Sequence, residues 1–244
     1  MCKTLKKSTI FSFLVFIFAL FSPTELGRCF EPSQWGSAVR VYVEPSTCVV
    51  VLYTTFKVNV SISDVVSEGL FNYEFRLNYN NSLLNGVNIV FPEDHFLKPQ
   101  DPANLFIVER SFNQIEGYAL VAVTLLGLEE CKFGSGTLVT VIFHCRDMGS
   151  VELNFSDCHL AGLSSQPFSN VTLVGGVVNI VLPDFDGDID VDASDMLIVC
   201  QAFGSHVGDE KWKPSCDVNK DLLINILDVA VTAKSYGRSA TKQS

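Results

Sequence analysis

The chain has 244 residues, 48 % of them hydrophobic, and a formal net charge of −10. That length suits one large domain or a medium domain with a small one, and the apolar share is enough for a core. The acidic balance excludes a nucleic-acid partner, because a phosphate backbone is met by clustered Lys and Arg, and no such cluster follows the first seven residues.

MCKTLKKST carries three lysines and leads into a run of twelve, Ile10 to Phe21, apolar but for Ser12. A bilayer span needs roughly 20 apolar residues and a signal-peptide core about 7–15, so residues 1–28 are expected to be a secretory signal, cleaved between Ser22 and Cys29. No later segment is long and apolar enough to span a membrane, and the mature chain is expected outside the cell or at its surface. Export changes how the eight cysteines read. Cys2 leaves with the signal, and pairing among Cys29, Cys48, Cys131, Cys145 and Cys158 stays open. Asn59, Asn80, Asn154 and Asn170 each begin an N-x-S/T triplet and are candidate glycosylation sites, or else ordinary strand and turn residues.

Residues 39–181 read as β-structure almost throughout. TFKVNVSI alternates Phe56, Val58, Val60 and Ile62 with polar or small residues; FNYEFRLNYN does so with Phe71, Tyr73, Phe75, Leu77 and Tyr79. GYALVAVTLLG, GTLVTVIFHC, VELNFSDCHL and VTLVGGVVNIVL follow, divided by Asn80-Asn81-Ser82, Pro99 to Pro102, Gly134-Ser135-Gly136 and Asp147 to Ser150. About nine short strands imply two antiparallel sheets packed face to face. Cys145 continues the alternation of Val139, Val141 and Phe143, which implies burial. The order VxVEPS, T-F-x-V-N-V, Y-x-F-x-L-x-Y-N and G-S-G-T-L-x-T-V-x-F resembles the cohesin domain, which implies a jelly-roll β-sandwich; carbohydrate-binding modules of similar build share much of it. Glu129-Glu130 and Asp94-His95 read as surface charges rather than a catalytic pair, and no H-E-x-x-H, G-x-S-x-G or phosphate loop is present. No enzyme is expected.

Pro183 ends the last strand and the composition turns acidic. The spacing of DFDGDIDVDASD, from Asp184 to Asp195, recurs 33 positions later in DVNKDLLINILD, from Asp217 to Asp228. A Ca²⁺ loop takes oxygen ligands at positions 1, 3, 5, 7, 9 and 12, position 7 through its carbonyl. The first copy supplies Asp184, Asp186, Asp188, Asp190, Asp192 and Asp195. The second supplies Asp217, Asn219, Asp221, Leu223, Asn225 and Asp228. Two Ca²⁺ ions are expected. Val191 and Ile224 at position 8 are expected to face the partner loop. Helices follow, with Met196, Val199, Cys200 and Phe203 on one face, matched by Val229, Thr232, Ala233 and Tyr236, and with Gly204 and Gly237 as left-handed caps. Position 6, where the turn favours φ > 0 and Gly, holds Ile189 and Leu222. The first loop also carries more carboxylates than the second, and their repulsion should leave it less ordered without metal. Cys200 and Cys216 are a candidate disulfide, or Cys200 is simply a small core residue like Ala233.

Paired loop-helix units with Asp at position 12, joined through Trp212-Lys213-Pro214, resemble a dockerin domain over residues 184–240. The resemblance implies a small α-helical paired calcium-loop module that binds a cohesin through positions 10 and 11, here Ala193-Ser194 and Ile226-Leu227, and through a basic helix residue, here Lys234. The two pairs differ in polarity, so one binding orientation should dominate. The expectation is a secreted, non-catalytic adaptor assembling with cohesin- or dockerin-bearing proteins, itself included, in the setting of extracellular polysaccharide. The alternative is a surface carbohydrate-binding module anchored by its tail.

Overall fold

Alternating side chains place every second residue on one face of a strand. In the computed structural model, which describes residues 38–127, 131–164 and 166–240, those faces meet in a single apolar layer. One sheet runs β10 (Val171–Val174), β1 (Val39–Glu44), β3 (Thr55–Leu70), β8 (Lys132–Cys145), β5 (Leu84–Val90). The other runs β2 (Thr47–Val51), β11 (Gly176–Val181), β9 (Gly149–Ala161), β4 (Asn72–Asn78), β7 (Tyr118–Leu125), β6 (Leu105–Asn113). The expected signal at residues 1–28, Cys29 and the Glu129-Glu130 pair lie outside the described residues.

Nine apolar runs become eleven strands because two of them change sheets. The first run breaks at Pro45, which has no N–H to give the ladder, so β1 stays in one sheet and β2 joins the other. The last run breaks at Gly175-Gly176. A Cβ on Gly175 would lie 2.3 Å from the Leu153 carbonyl oxygen, so only glycine passes there. The two switching runs travel side by side, β1 parallel to β10 and β2 parallel to β11.

Tyr73, Phe75, Phe143, Leu77 and Leu138 are among the largest fully buried side chains. Phe143 packs on Phe56 at 5.7 Å and on Tyr79 at 5.0 Å between ring centroids. Tyr73 and Tyr79 are therefore core residues. Cys145 is buried as its alternation implied, and burial pushes its thiol up to about 12. Asp94-His95 departs from the surface reading. Asp94 is exposed, but His95 is buried against the Phe91 ring at 5.5 Å.

Of the candidate glycosylation sites, Asn80, Asn154 and Asn170 are exposed. Asn59 is half-buried on a central strand, where its Oδ1 accepts the Thr140 hydroxyl at 2.7 Å.

After β11 the chain forms α1 (Ala193–Ala202) and α2 (Ile226–Lys234), separated by a 3-10 turn at Pro214–Cys216. No helix among the described residues is long and apolar enough to cross a membrane.

Candidate metal and partner-binding site

An aspartate at the first position of a tight loop can accept several N–H groups and so close the turn before any ion arrives. Asp184 does this through Oδ1 from Gly187 N–H at 2.7 Å and Oδ2 from Ile189 N–H at 2.9 Å. Asp217 repeats it with Asp221 N–H at 3.1 Å and Leu222 N–H at 3.0 Å. Both loops turn through the left-handed region at the same two places: Gly187 at φ 83 and Ile189 at φ 84, Lys220 at φ 60 and Leu222 at φ 71. Three of the four are not glycine, and the β-branched Ile189 is the most strained of them.

Position 12 is the hinge of each unit. Asp195 and Asp228 are completely buried. Asp195 accepts Phe185 N–H at 2.5 Å and Asp192 N–H at 2.9 Å; Asp228 accepts Val218 N–H at 3.0 Å and Asn225 N–H at 2.8 Å. With Asp192 and Asn225 capping Ser194 and Leu227 N–H, each helix begins in a reciprocal capping box.

This explains why the buried face is rotated from the apolar one expected: Val199 and Thr232 are buried as expected, and Met196 and Val229 are half-buried. The position-12 carboxylate is drawn inside, and the residues four and seven further on follow it. The buried positions are Asp195, Val199 and Ala202 in one repeat and Asp228, Thr232 and Ser235 in the other. Cys200, Phe203, Ala233 and Tyr236, expected on the inner face, are exposed. The Cys200–Cys216 bridge is not formed: both thiols are free, Cys200 facing solvent and Cys216 buried.

Position 8 also differs from expectation. Val191 and Ile224 are fully buried, but neither faces the other loop. Val191 pairs with Gly237 and Arg238, through bonds of 2.8 and 2.9 Å, and joins the apolar cluster of the sandwich. Ile224 pairs with Gly204 and Ser205 at 2.8 and 2.9 Å and sits in the small core of Val199, Ala202 and Cys216. The chain leaving each helix thus pairs with the loop of the other repeat. Gly204 at φ 78 and Gly237 at φ 77 make those exits.

The carboxylates converge. Single oxygens of Asp184, Asp186 and Asp188 lie within 4.8 Å of one another, as do those of Asp190, Asp192 and Asp195. Asp190, expected to act through its carbonyl, therefore also turns its side chain inward, and its Oδ1 is shielded from solvent without a hydrogen bond. Partial desolvation and neighbouring aspartates raise the Asp186 and Asp190 carboxyls above their ordinary value. In the second loop Asp221 instead accepts Nδ2–H bonds from Asn219 at 2.9 Å and Asn225 at 3.3 Å. Burial raises Asp228, with Asp217 adding to it. A dense set of hard oxygens with one orphaned is what a hard divalent cation would complete, so the Asp-rich loop at 184–195 could hold a metal.

Ala193, Ser194, Ile226 and Leu227 are all exposed at the helix starts, and Leu197, Phe203 and Tyr236 add apolar surface. Lys234 is turned toward the sandwich, its Nζ 4.0 Å from the centroid of the Tyr53 ring. Sequence reasoning passed over Tyr53, Asp147, Lys220 and Arg238, which also meet at this junction. The available signal was that basic residues recur in the second repeat and not at matching places in the first.

A model of the dockerin type I domain family matches residues 182–235. The solved structures similar to the chain include the third cohesin of ScaC from Acetivibrio cellulolyticus, 12 % identical, covering 58 % of this chain and 98 % of that one with a TM-score of 0.47. The seventh type I cohesin of ScaB from Pseudobacteroides cellulosolvens is 16 % identical, with coverage of 59 % and 93 % and a TM-score of 0.48. A non-cellulosomal cohesin from the archaeon Archaeoglobus fulgidus is 14 % identical, with coverage of 59 % and 92 % and a TM-score of 0.45. No curated protein matches the chain.

Proposed function

We propose that this chain, whose tail carries a dockerin type I domain, is a secreted, non-catalytic adaptor: a signal at 1–28, a cohesin-like sandwich at 39–181 and a calcium-loop tail at 184–240. Each loop takes one Ca²⁺, the first through Asp184, Asp186, Asp188, Asp190, Asp192 and Asp195, the second through Asp217, Asn219, Asp221, Leu223, Asn225 and Asp228. The ions neutralise carboxylates that otherwise repel, and so hold the two helix starts in place. Ala193, Ser194, Ile226 and Leu227 then meet the sandwich of a partner, which is another cohesin-bearing protein or a second copy of this chain.

The observation that supports this reading best is the exposure of all four helix-start residues directly beside the two closed loops. An apolar pair such as Ile226-Leu227, left in solvent on an otherwise acidic module, is a surface awaiting a partner. The test is association of the full chain, measured by light scattering with a panel of cohesin sandwiches and with itself, in Ca²⁺ and in EGTA. Complexes that form in Ca²⁺, dissolve in EGTA and vanish in I226D/L227D are expected. Polysaccharide binding by the chain together with no calcium-dependent protein partner would favour the carbohydrate-binding reading instead.

A further inference from the structure

Three of the five basic residues of the acidic tail, Lys220, Lys234 and Arg238, lie on one surface; Lys211 and Lys213 fall between the repeats. Lys220 Nζ donates to the Val49 carbonyl at 3.2 Å, Lys234 Nζ stands over the Tyr53 ring, and Arg238 donates to Tyr53 Oη at 3.2 Å while pairing with Asp147. All three belong to the second repeat. The equivalent positions of the first repeat are Gly187, Gln201 and Ser205, none of them charged. The receiving surface is part of the sandwich: Val49 on edge strand β2, Tyr53 in the turn after it, and Asp147 in the turn between β8 and β9. Tyr53 stands at φ 66, a left-handed conformation that a tyrosine rarely adopts, and its ring and hydroxyl are taken by two different cations.

These cations are placed by the loops. Lys220 is position 4 of the second loop. Arg238 lies in the segment that pairs with Val191 of the first loop, and Ala240 N–H extends that pairing to Ile189 at 2.9 Å. Val191 itself packs into the sandwich cluster. Buried Leu182 and Pro183 leave no slack between β11 and the first loop, so contacts that are individually weak act at high effective concentration.

We propose that the second repeat is a latch that docks the tail on its own sandwich, and that metal loading of the two loops closes it. The metal dependence rests on the calcium reading given above. Ala193, Ser194, Leu197, Ile226 and Leu227 remain exposed in the latched state, so the latch aims the partner face and does not cover it. The adaptor is then a rigid body with one fixed angle between its two binding modules.

Hydrogen exchange of residues 47–54 and small-angle scattering, recorded on the full chain in Ca²⁺ and in EGTA, test this. Pairing with β11 protects part of 47–54 in either condition; added protection is expected in Ca²⁺ and lost in EGTA, with an increase in radius of gyration. D147R and R238D should each lose that protection in Ca²⁺ while keeping the helical circular dichroism signal, and D147R/R238D should regain it. Helix gain on adding Ca²⁺ with exchange at 47–54 unchanged by chelator and by both single variants overturns the latch alone. A tail that gains no helix with Ca²⁺ overturns the metal reading, and the control of the latch with it.

Discussion

The sandwich and the tail solve the same problem by opposite chemistry. The sandwich buries a continuous layer of Val, Leu, Ile and Phe from both sheets, and its polar groups are largely left outside. The tail buries Val199, Ala202, Cys216 and Ile224 and, with them, Asp195, Asp217, Asp228, Thr232 and Ser235. A module that small cannot be held by apolar area alone. Its framework is carboxylate to N–H, and a bound cation would offset the repulsion within it at neutral pH. The lesson is that the duplicated aspartates serve the fold as much as any partner.

The contrast can be broken or sharpened by substitution. The largest effect should come from Phe75→Ala, which removes a fully buried ring and should cost the sandwich about 3–5 kcal/mol in urea unfolding. The helix gained on adding Ca²⁺ should survive it; loss of that gain would mean the modules are not separate solutions. Next comes Asp228→Ala. It strands two N–H groups and should cost the tail about 2–3 kcal/mol, read as the loss of Ca²⁺-induced helix, with the sandwich transition losing only the smaller contribution of the docked tail. Smaller and opposite in sign, Ile189→Gly and Leu222→Gly relieve left-handed residues. Each should stabilise the metal-loaded tail by about 1 kcal/mol and tighten Ca²⁺ roughly fivefold by titration calorimetry.

Acid should separate the two modules most finely. Burial, with Lys98 adding to it and Asp94 opposing it, holds His95 below its ordinary 6.5, so it protonates more readily in the unfolded chain. Its contribution to the sandwich is complete above pH 6.5 and is lost as pH falls below it. Asp228 is raised, so in EGTA its burial costs the tail stability at neutral pH and that cost disappears as pH falls toward the carboxylate range. Asp209, lowered by the His206 N–H it accepts, runs the other way. In EGTA between pH 7 and about 5 the sandwich should weaken while the tail does not. His95→Phe should flatten the sandwich profile in thermal melts.

Much of this architecture is visible in the chain alone, and the exceptions share a cause. Alternation locates Tyr73, Phe75, Leu77 and Cys145 on the inner face because burial has the same period as the strand. It is silent on which sheet a strand joins, so the changes of sheet at Pro45 and Gly175 emerge only in three dimensions. The second copy of the aspartate pattern sets the register of both loops and marks Ile189 and Leu222 as strained. Periodicity places Val199 and Thr232 inside correctly but misjudges the edge of each helix face, because apolar periodicity ignores a buried carboxylate. Once Asp195 and Asp228 are inside, Phe203 and Tyr236 must turn out. The Tyr53 junction escaped for a different reason. It joins positions more than 90 residues apart, through single side chains that carry no period at all.

The crossed pairing of the repeats has a consequence for how the tail assembles. Gly204 and Ser205 complete the second loop, and Gly237 and Arg238 complete the first, so neither copy has a finished edge until the other is in place. Half of this module is not a smaller version of it. Ca²⁺ should therefore enter the two loops as a cooperative pair, with chains at half-saturation divided between fully assembled and unassembled tails. Stopping the chain before Gly237 should undo the distant first loop as surely as deleting an aspartate from it.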